Sequence, residues 1–367
     1  MSVGPIAPPV GGIGAAGASS PSTGQTPSTS APGAPAGAPT ASASQTGSAL
    51  DALVLEAIST QDSLAPLLAD LTAALASPIL PPAARATAQS ILASQTPLDA
   101  DVTSQDLRAA VASSGLFLET LLAAVALAPG GGTTPDLSGD LKALLSQLAA
   151  DLTPQAQTAA LEMAAAQTQA PSSPRRNQTF GRGSADPPPP PSAGAPTIAG
   201  PAAQASLEPE TDRASVSHAL RHDAEAALAR LQLSQIASLP KPGAPTRWSF
   251  ELPVAAPEGH AMAQFEISRD DRGPGGAVQA EPTWRAKFSI NVEPNGPVHA
   301  EVALSGGRTR VTLWGERRET QAYLAQHQAD LVTELAGTQG ADAAVRVLAG
   351  APARPDVEAG HLVNRTS

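Results

Sequence analysis

The chain has 367 residues, enough for two or three ordinary domains, yet it carries 37 Pro, 31 Gly and only 2% aromatic residues, too many chain breakers and too few large side chains for that much dense core. Its formal charge is −11, with three basic and twelve acidic residues in 1–170, six of each in 171–239, and thirteen basic and fifteen acidic beyond. No segment has the positive excess that a phosphate backbone demands, which argues against nucleic acid as a partner, and the absence of cysteine excludes a disulfide framework or a Cys-based zinc site.

Residues 1–48 contain no charged side chain and are mostly Ser, Ala, Gly, Pro and Thr. Such a segment buries too little apolar surface to offset its ordering entropy and is expected to be disordered. A secretory signal needs a basic stretch before an apolar core, whereas the first Lys or Arg is Arg85. An uncharged, flexible N-terminus has the character of a type III export substrate, and equally that of a plain disordered tail.

Residues 49–165 are rich in Ala and Leu. Helical stripes fall at Leu50, Leu53, Val54, Ala57 and Ile58, at Leu64, Leu67, Leu68, Leu71 and Leu75, at Leu107, Val111, Leu118, Leu121, Leu122 and Val125, and at Leu137, Leu141, Leu144, Leu145 and Leu148. Pro78, Pro81, Pro82, Pro97, Pro129 and Pro154 separate them, which predicts four or five short amphipathic helices in a loose bundle. No run reaches the roughly 18 apolar residues needed to cross a bilayer.

Residues 166–245 read as a Pro-rich linker with one helix near 214–238. The pentaproline Pro187–Pro191 predicts a stiff polyproline II rod, read as a spacer in preference to a docking peptide for an aromatic groove. Arg175, Arg176 and Arg182 surround Phe180, and Asn177-Gln178-Thr179 matches a glycosylation sequon that carries little weight without a secretory signal.

From Thr246 the pattern changes to strands. Trp248, Phe250, Leu252 and Val254 alternate, as do Ala261, Ala263, Phe265 and Ile267; then Trp284, Ala286, Phe288, Ile290 and Val292; then, after Asn295-Gly296-Pro297, Val298, Ala300, Val302 and Leu304; then Val311 and Leu313. Leu324, Leu331 and Leu335 mark a helix ending near Gly337 and Gly340, and a short strand is possible at 344–348. The expected fold class is α+β: a small C-terminal antiparallel sheet over 246–350 with one covering helix, preceded by the long disordered and helical region and followed by a flexible tail, 351–367. Seven of the nine aromatic residues lie between Trp248 and Tyr323, so the core is expected there.

No catalytic constellation emerges, and neither a cofactor nor a metal is expected. His218 and His222 stand four apart on a helix, but Ala219 occupies the place of the zincin glutamate and no third ligand follows. The Asp270–Gly276 stretch lacks both phosphate-loop and calcium-loop spacing. Trp314 points away from Val311 and Leu313, either exposed as an interface anchor or, as the preferred reading, covered by a second layer.

The strand pattern from Lys287 to Gly340 resembles the C-terminal domain of the bacterial flagellar hook-length control protein: Ile290, Val292 and Pro294, a turn at Gly296, then Val298, Ala300, Val302 and Leu304, a hairpin, Val311 and Leu313, and the helix of Leu324, Leu331 and Leu335. Here Pro294 is followed by Asn295-Gly296 where that family has a Leu-Gly pair slightly later. The resemblance implies a non-enzymatic regulator, exported through the flagellar type III channel as a molecular ruler, whose C-terminal domain switches export from hook to filament substrates. It implies as partners the cytoplasmic domain of the export-gate switch protein and the hook and hook-cap proteins, with no membrane insertion and a monomeric state. It places the switch interaction on Pro294, Gly296, Val298, Ala300, Val302, Leu304, Val311 and Leu313. The alternative is a needle-length regulator of a related secretion system, or a surface stalk or adhesin without switching activity.

Overall fold

A computed structural model describes residues 51–98, 102–127, 137–169, 188–200, 203–207, 212–241, 243–256, 259–272, 278–339 and 342–353. All described residues belong to one unit, Ala49–Ser367. The expectations for residues 1–48, for the arginines around Phe180 with the nearby sequon, and for most of the C-terminal tail lie outside the described residues.

Local chemistry sets the helix starts. After α1 (residues 51–60), the Ser63 hydroxyl accepts from the Ala65 N–H and opens α2 (Leu64–Leu75). Pro82 occupies the first turn of α3 (Pro82–Ala93), where its missing N–H costs nothing. Thr103 and Asp106 form a reciprocal capping box on α4 (Ser104–Ala112); the hydrogen bonds from Thr103 hold the Asp106 carboxyl below its usual pKa. After α5 (Leu118–Leu127), Asp140 accepts from the Ala143 N–H at the head of α6 (Leu141–Gln169), and burial pushes its carboxyl up. Asp212 takes the N–H groups of Ala214 and Ser215 to start α7 (Arg213–Ala237).

Pro154 separates nothing: α6 runs through it. An interior proline loses one backbone bond and costs about 3 kcal/mol, so α6 keeps its course because the preceding stripe of Leu141, Leu145, Leu148 and Leu152 is fixed by packing.

The largest buried cluster lies among these helices. Leu67, Leu68, Leu71, Ile91, Leu148 and Leu152 are wholly buried with Leu220 and Ala224 of α7, and Met262 of the sheet closes the cluster. The clustering of aromatic residues pointed to a core at the C-terminal end, but leucines of α2, α6 and α7 interdigitate with Ile91 of α3 at close range, with alanines allowing the approach. A polar staple crosses this region: buried Asp70 accepts from the Ser206 hydroxyl at 2.7 Å and the Leu207 N–H at 3.1 Å.

The sheet has seven strands in the order β1 (Thr96–Pro97), β2 (Thr246–Ala256), β3 (Gly259–Arg272), β4 (Val278–Val292), β5 (Gly296–Ser305), β6 (Arg308–Gly315) and β7 (Asp342–Ala349). β2 to β6 form the antiparallel meander, whereas β1 and β7 pair in parallel with their neighbours, so the sheet is mixed. β7 lies parallel to β6 because α8 (Arg318–Gln326) and α9 (Gln328–Gln339) return the chain across the sheet. The covering layer is therefore two helices, broken at His327, whose ring meets that of Tyr323 and whose Nδ1 lies 3.2 Å from Asp330.

Pairing in register places the apolar positions of all these strands on one face. Their neighbours form a polar face. On β2 and β3 the apolar face is covered by Ala110, Val111, Leu116 and Phe117. On β6 and β7 it is covered by α8 and α9, since Val311, Val345 and their alternates are shielded while Arg310, Ala344 and Arg346 are exposed. The polar face of β2 and β3 receives α7 and α2.

His260 joins α2 and α3 to β3, its Nε2 2.8 Å from the Thr72 hydroxyl and its Nδ1 2.8 Å from the Gln95 carboxamide oxygen. Burial pushes its imidazole below the ordinary pKa. The unfolded chain then binds the proton more readily than the folded one, so this contribution is complete above about pH 6.5 and is lost as the pH falls toward the folded value. His260→Gln should flatten the dependence of unfolding free energy on pH between about 7 and 5; urea titrations at several pH values read the slope, and an unchanged slope would refute the assignment.

Candidate interaction face

The β4–β5 turn positions one end of the site. Its Glu293-Pro294 bond is cis, and Gly296 takes φ +72°, a left-handed conformation that suits a residue without a Cβ. Arg317, at the exit of β6, spans the turn: it donates to the Pro294 carbonyl and forms an ion pair with Glu293 at 2.7 Å. A Cβ at Gly296 would meet the Arg317 side chain. The Thr320 hydroxyl donates to the Asn295 carbonyl, and the Glu316 N–H donates to the Pro297 carbonyl at 3.1 Å. Turn, β6 exit and α8 are thus one mechanical unit.

Between the two helical covers, the apolar face of β4 and β5 is half open. Trp284 is 37% exposed, and Phe288, Ile290, Val298, Val302, Leu304 and Leu313 are half-buried, whereas Ala300 and Val311 are buried. An aromatic ladder stiffens its β2–β3 border, with Phe250, Phe265 and Phe288 in sequence at centroid distances of 5.3 and 5.5 Å. Trp248 stacks on Trp284 at 6.2 Å, and the Arg269 guanidinium lies 5.5 Å from the Trp284 ring centre.

Of the eight residues singled out from the sequence, Val298, Ala300, Val302, Leu304, Val311 and Leu313 share this one face, and the register pairs Val302 with Val311 and Ala300 with Leu313. Pro294 is exposed and Gly296 buried in the turn at the end of the same strands. Sequence reading missed Arg317 and Thr320, because a side chain that seeks a backbone carbonyl more than twenty residues away leaves no periodic mark.

The polar face carries a second arrangement. Glu251, Gln264, Ser289 and His299 stand in register across β2 to β5. The segment 188–200, read above as a spacer, lies over them. Prolines have no N–H for ladder pairing, but the carbonyls of Pro188 and Pro189 accept from Gln61 and Arg230. Further along, the N–H groups of Gly194 and Ile198 donate to Glu266 and Gln264. Thr197 and Ser289 hydroxyls lie 2.6 Å apart, Ser289 meets His299 Nδ1 at 2.7 Å, and His299 Nε2 reaches Glu316 at 2.9 Å. This line has the composition of a nucleophilic triad, yet Ser289 is wholly buried and shares its hydroxyl with Thr197, so no substrate carbonyl can reach it. His218 and His222 are exposed on α7, and Trp314 is half-buried on the polar face beside His299.

A half-open apolar sheet face, framed by helices and braced at one end by a hydrogen-bonded turn, is the kind of surface that proteins use to bind one another. Residues 275–355, from β4 to just past β7, match the family model described as flagellar hook-length control protein FliK, so this part of the chain is similar to the domain of that family. The match spans under a quarter of the chain. No curated protein and no solved structure matches.

Proposed function

We propose that the chain controls flagellar hook length as an exported molecular ruler, and that its C-terminal domain switches type III export from hook to filament substrates. The observation that carries the reading is the coincidence of the family match with a half-open apolar face bearing Val298, Val302, Leu304 and Leu313. In this reading Pro294 and Gly296 hold the end of the face in place, and the cytoplasmic domain of the export-gate switch protein covers it. Hook and hook-cap proteins are the further partners. The protein starts in the cytoplasm, works as a monomer and leaves through the flagellar channel.

Residues 1 to about 240 would reach roughly 360 Å as helix and on the order of 800 Å fully extended, which is ample for a ruler. The test has two arms in the full chain. Val302→Asp with Leu304→Asp places two charges on the face that a partner must desolvate, and should yield overlong hooks without filaments; normal filaments would remove the switch assignment. An in-frame insertion of about 40 residues within 1–48 should lengthen hooks by roughly 60–130 Å, and hooks of unchanged length would leave a stalk as the better description of the first half.

A further inference from the structure

The polar face of β6 and β7 carries no covering helix among the described residues, and Arg310, Ala344, Arg346 and Leu348 are exposed there. Arg310 stands opposite Ala344 and Arg346 opposite Thr312, so the two arginines are diagonal neighbours on adjacent strands, about 8 Å apart at Cα. Neither has a carboxylate partner among the described residues. Their charged neighbours on the same face are paired, Arg308 with Asp342 at 3.7 Å and Arg285 with Glu301 at 3.1 Å. One step further along the strands Trp314 faces Leu348, which is 38% exposed.

Two adjacent uncompensated cations in a chain of formal charge −11 are not a by-product of composition, since like charges so placed repel. Along the strand direction the surface reads cation, cation, apolar, each step two residues on. An extended chain presents alternate side chains to one side at about 7 Å intervals, and guanidinium groups match carboxylates through paired N–H donors.

We propose that this face binds an extended acidic segment of a partner protein, with carboxylates at two alternate positions and an apolar side chain at the third. The carboxylates engage Arg310 and Arg346, and the apolar residue sits on Trp314 and Leu348. The chain's own Asp356 and Glu358 have the carboxylate spacing, but Arg354 and Gly360 flank them at the alternate positions, so they lack the apolar residue the surface asks for. The surface is opposite to the apolar face assigned to the export switch, and the inference does not depend on that assignment.

The test is fluorescence anisotropy on the full chain with a labelled peptide whose core is Glu-Val-Glu-Val-Leu, against one of the same composition ordered Glu-Glu-Val-Val-Leu. The alternating peptide should bind at least about fivefold more tightly, and Arg310→Glu with Arg346→Glu should weaken it at least about tenfold, because partly exposed charge pairs dominate such contacts. Trp314→Ala should weaken it about threefold through lost apolar contact. Circular dichroism checks the fold, and if the charge reversal unfolds the chain, Arg310→Gln with Arg346→Gln replaces it. Equal affinity for the two peptides, or binding indifferent to the arginines, overturns the proposal. So does a peptide that binds only after Asp356→Asn with Glu358→Gln, since the chain's own tail would then be the occupant.

Discussion

Arg230→Leu is expected to lower the unfolding free energy by about 3–5 kcal/mol, the range for stripping one partner from a buried ion pair. Arg230 is 2% exposed and meets Glu251 through both Nε, at 2.8 Å, and Nη2, at 2.6 Å. Its Nη1 donates to the Gln61 carboxamide oxygen at 2.6 Å and to the Pro189 carbonyl at 3.1 Å. One guanidinium thus ties α7 to β2, to the link after α1 and to the proline segment. Removing it strands the Glu251 carboxylate, which keeps only the Gln264 amide. Equilibrium urea unfolding reads the loss, and a change under about 1 kcal/mol would show that water reaches the carboxylate and that the seam is weaker than drawn. Arg230→Met with Glu251→Leu should recover much of the loss, because the desolvation cost disappears with both charges.

Leu148→Ala comes next, at about 2–5 kcal/mol. Leu148 is wholly buried between Leu145 and Leu152 on α6, in the cluster shared with α2, α3 and α7. The loss combines transfer free energy with the cavity left behind, and close-packed leucine stripes relax little around such a hole. Thermal unfolding should show one cooperative transition shifted downward, with the β2–β3 amides losing hydrogen-exchange protection along with the helices, since Met262 belongs to the same cluster. A shift confined to the helices would mean that the bundle opens on its own.

The second result bears on the proposed ruler. Under the proposed function, the export channel passes only extended or helical chain, so a tight helical core would have to be undone before residues 49–237 could travel. If Leu148→Ala speeds export while leaving the hook-length step per inserted residue unchanged, unfolding of this core limits passage.

Legibility differed by interaction range. The alternation at Trp284–Val292, Val298–Leu304 and Val311–Leu313 marked strands and their shared face correctly, because a period of two is a local property and burial of one face follows from it. The same reasoning found α7 and the stripes of α2 and the first turns of α6. It stopped at Pro154, whose cost is outweighed by packing that no local pattern records. It also assigned the prolines 188–191 to a spacer, since nothing near them in sequence announces Gln61 or Arg230 as donors.

Amino-acid order alone determined the strand faces, the helix stripes and starts, and the β4–β5 turn at Gly296, all of which depend on neighbours within a few residues. Tertiary structure alone decided where the largest core sits, how β1 and β7 join the sheet in parallel, which part of the apolar face stays open, and that Arg317 braces the turn. The physical reason is that burial and hydrogen-bond satisfaction are settled between groups tens to hundreds of residues apart, and their energies outweigh the local preferences of proline and alanine.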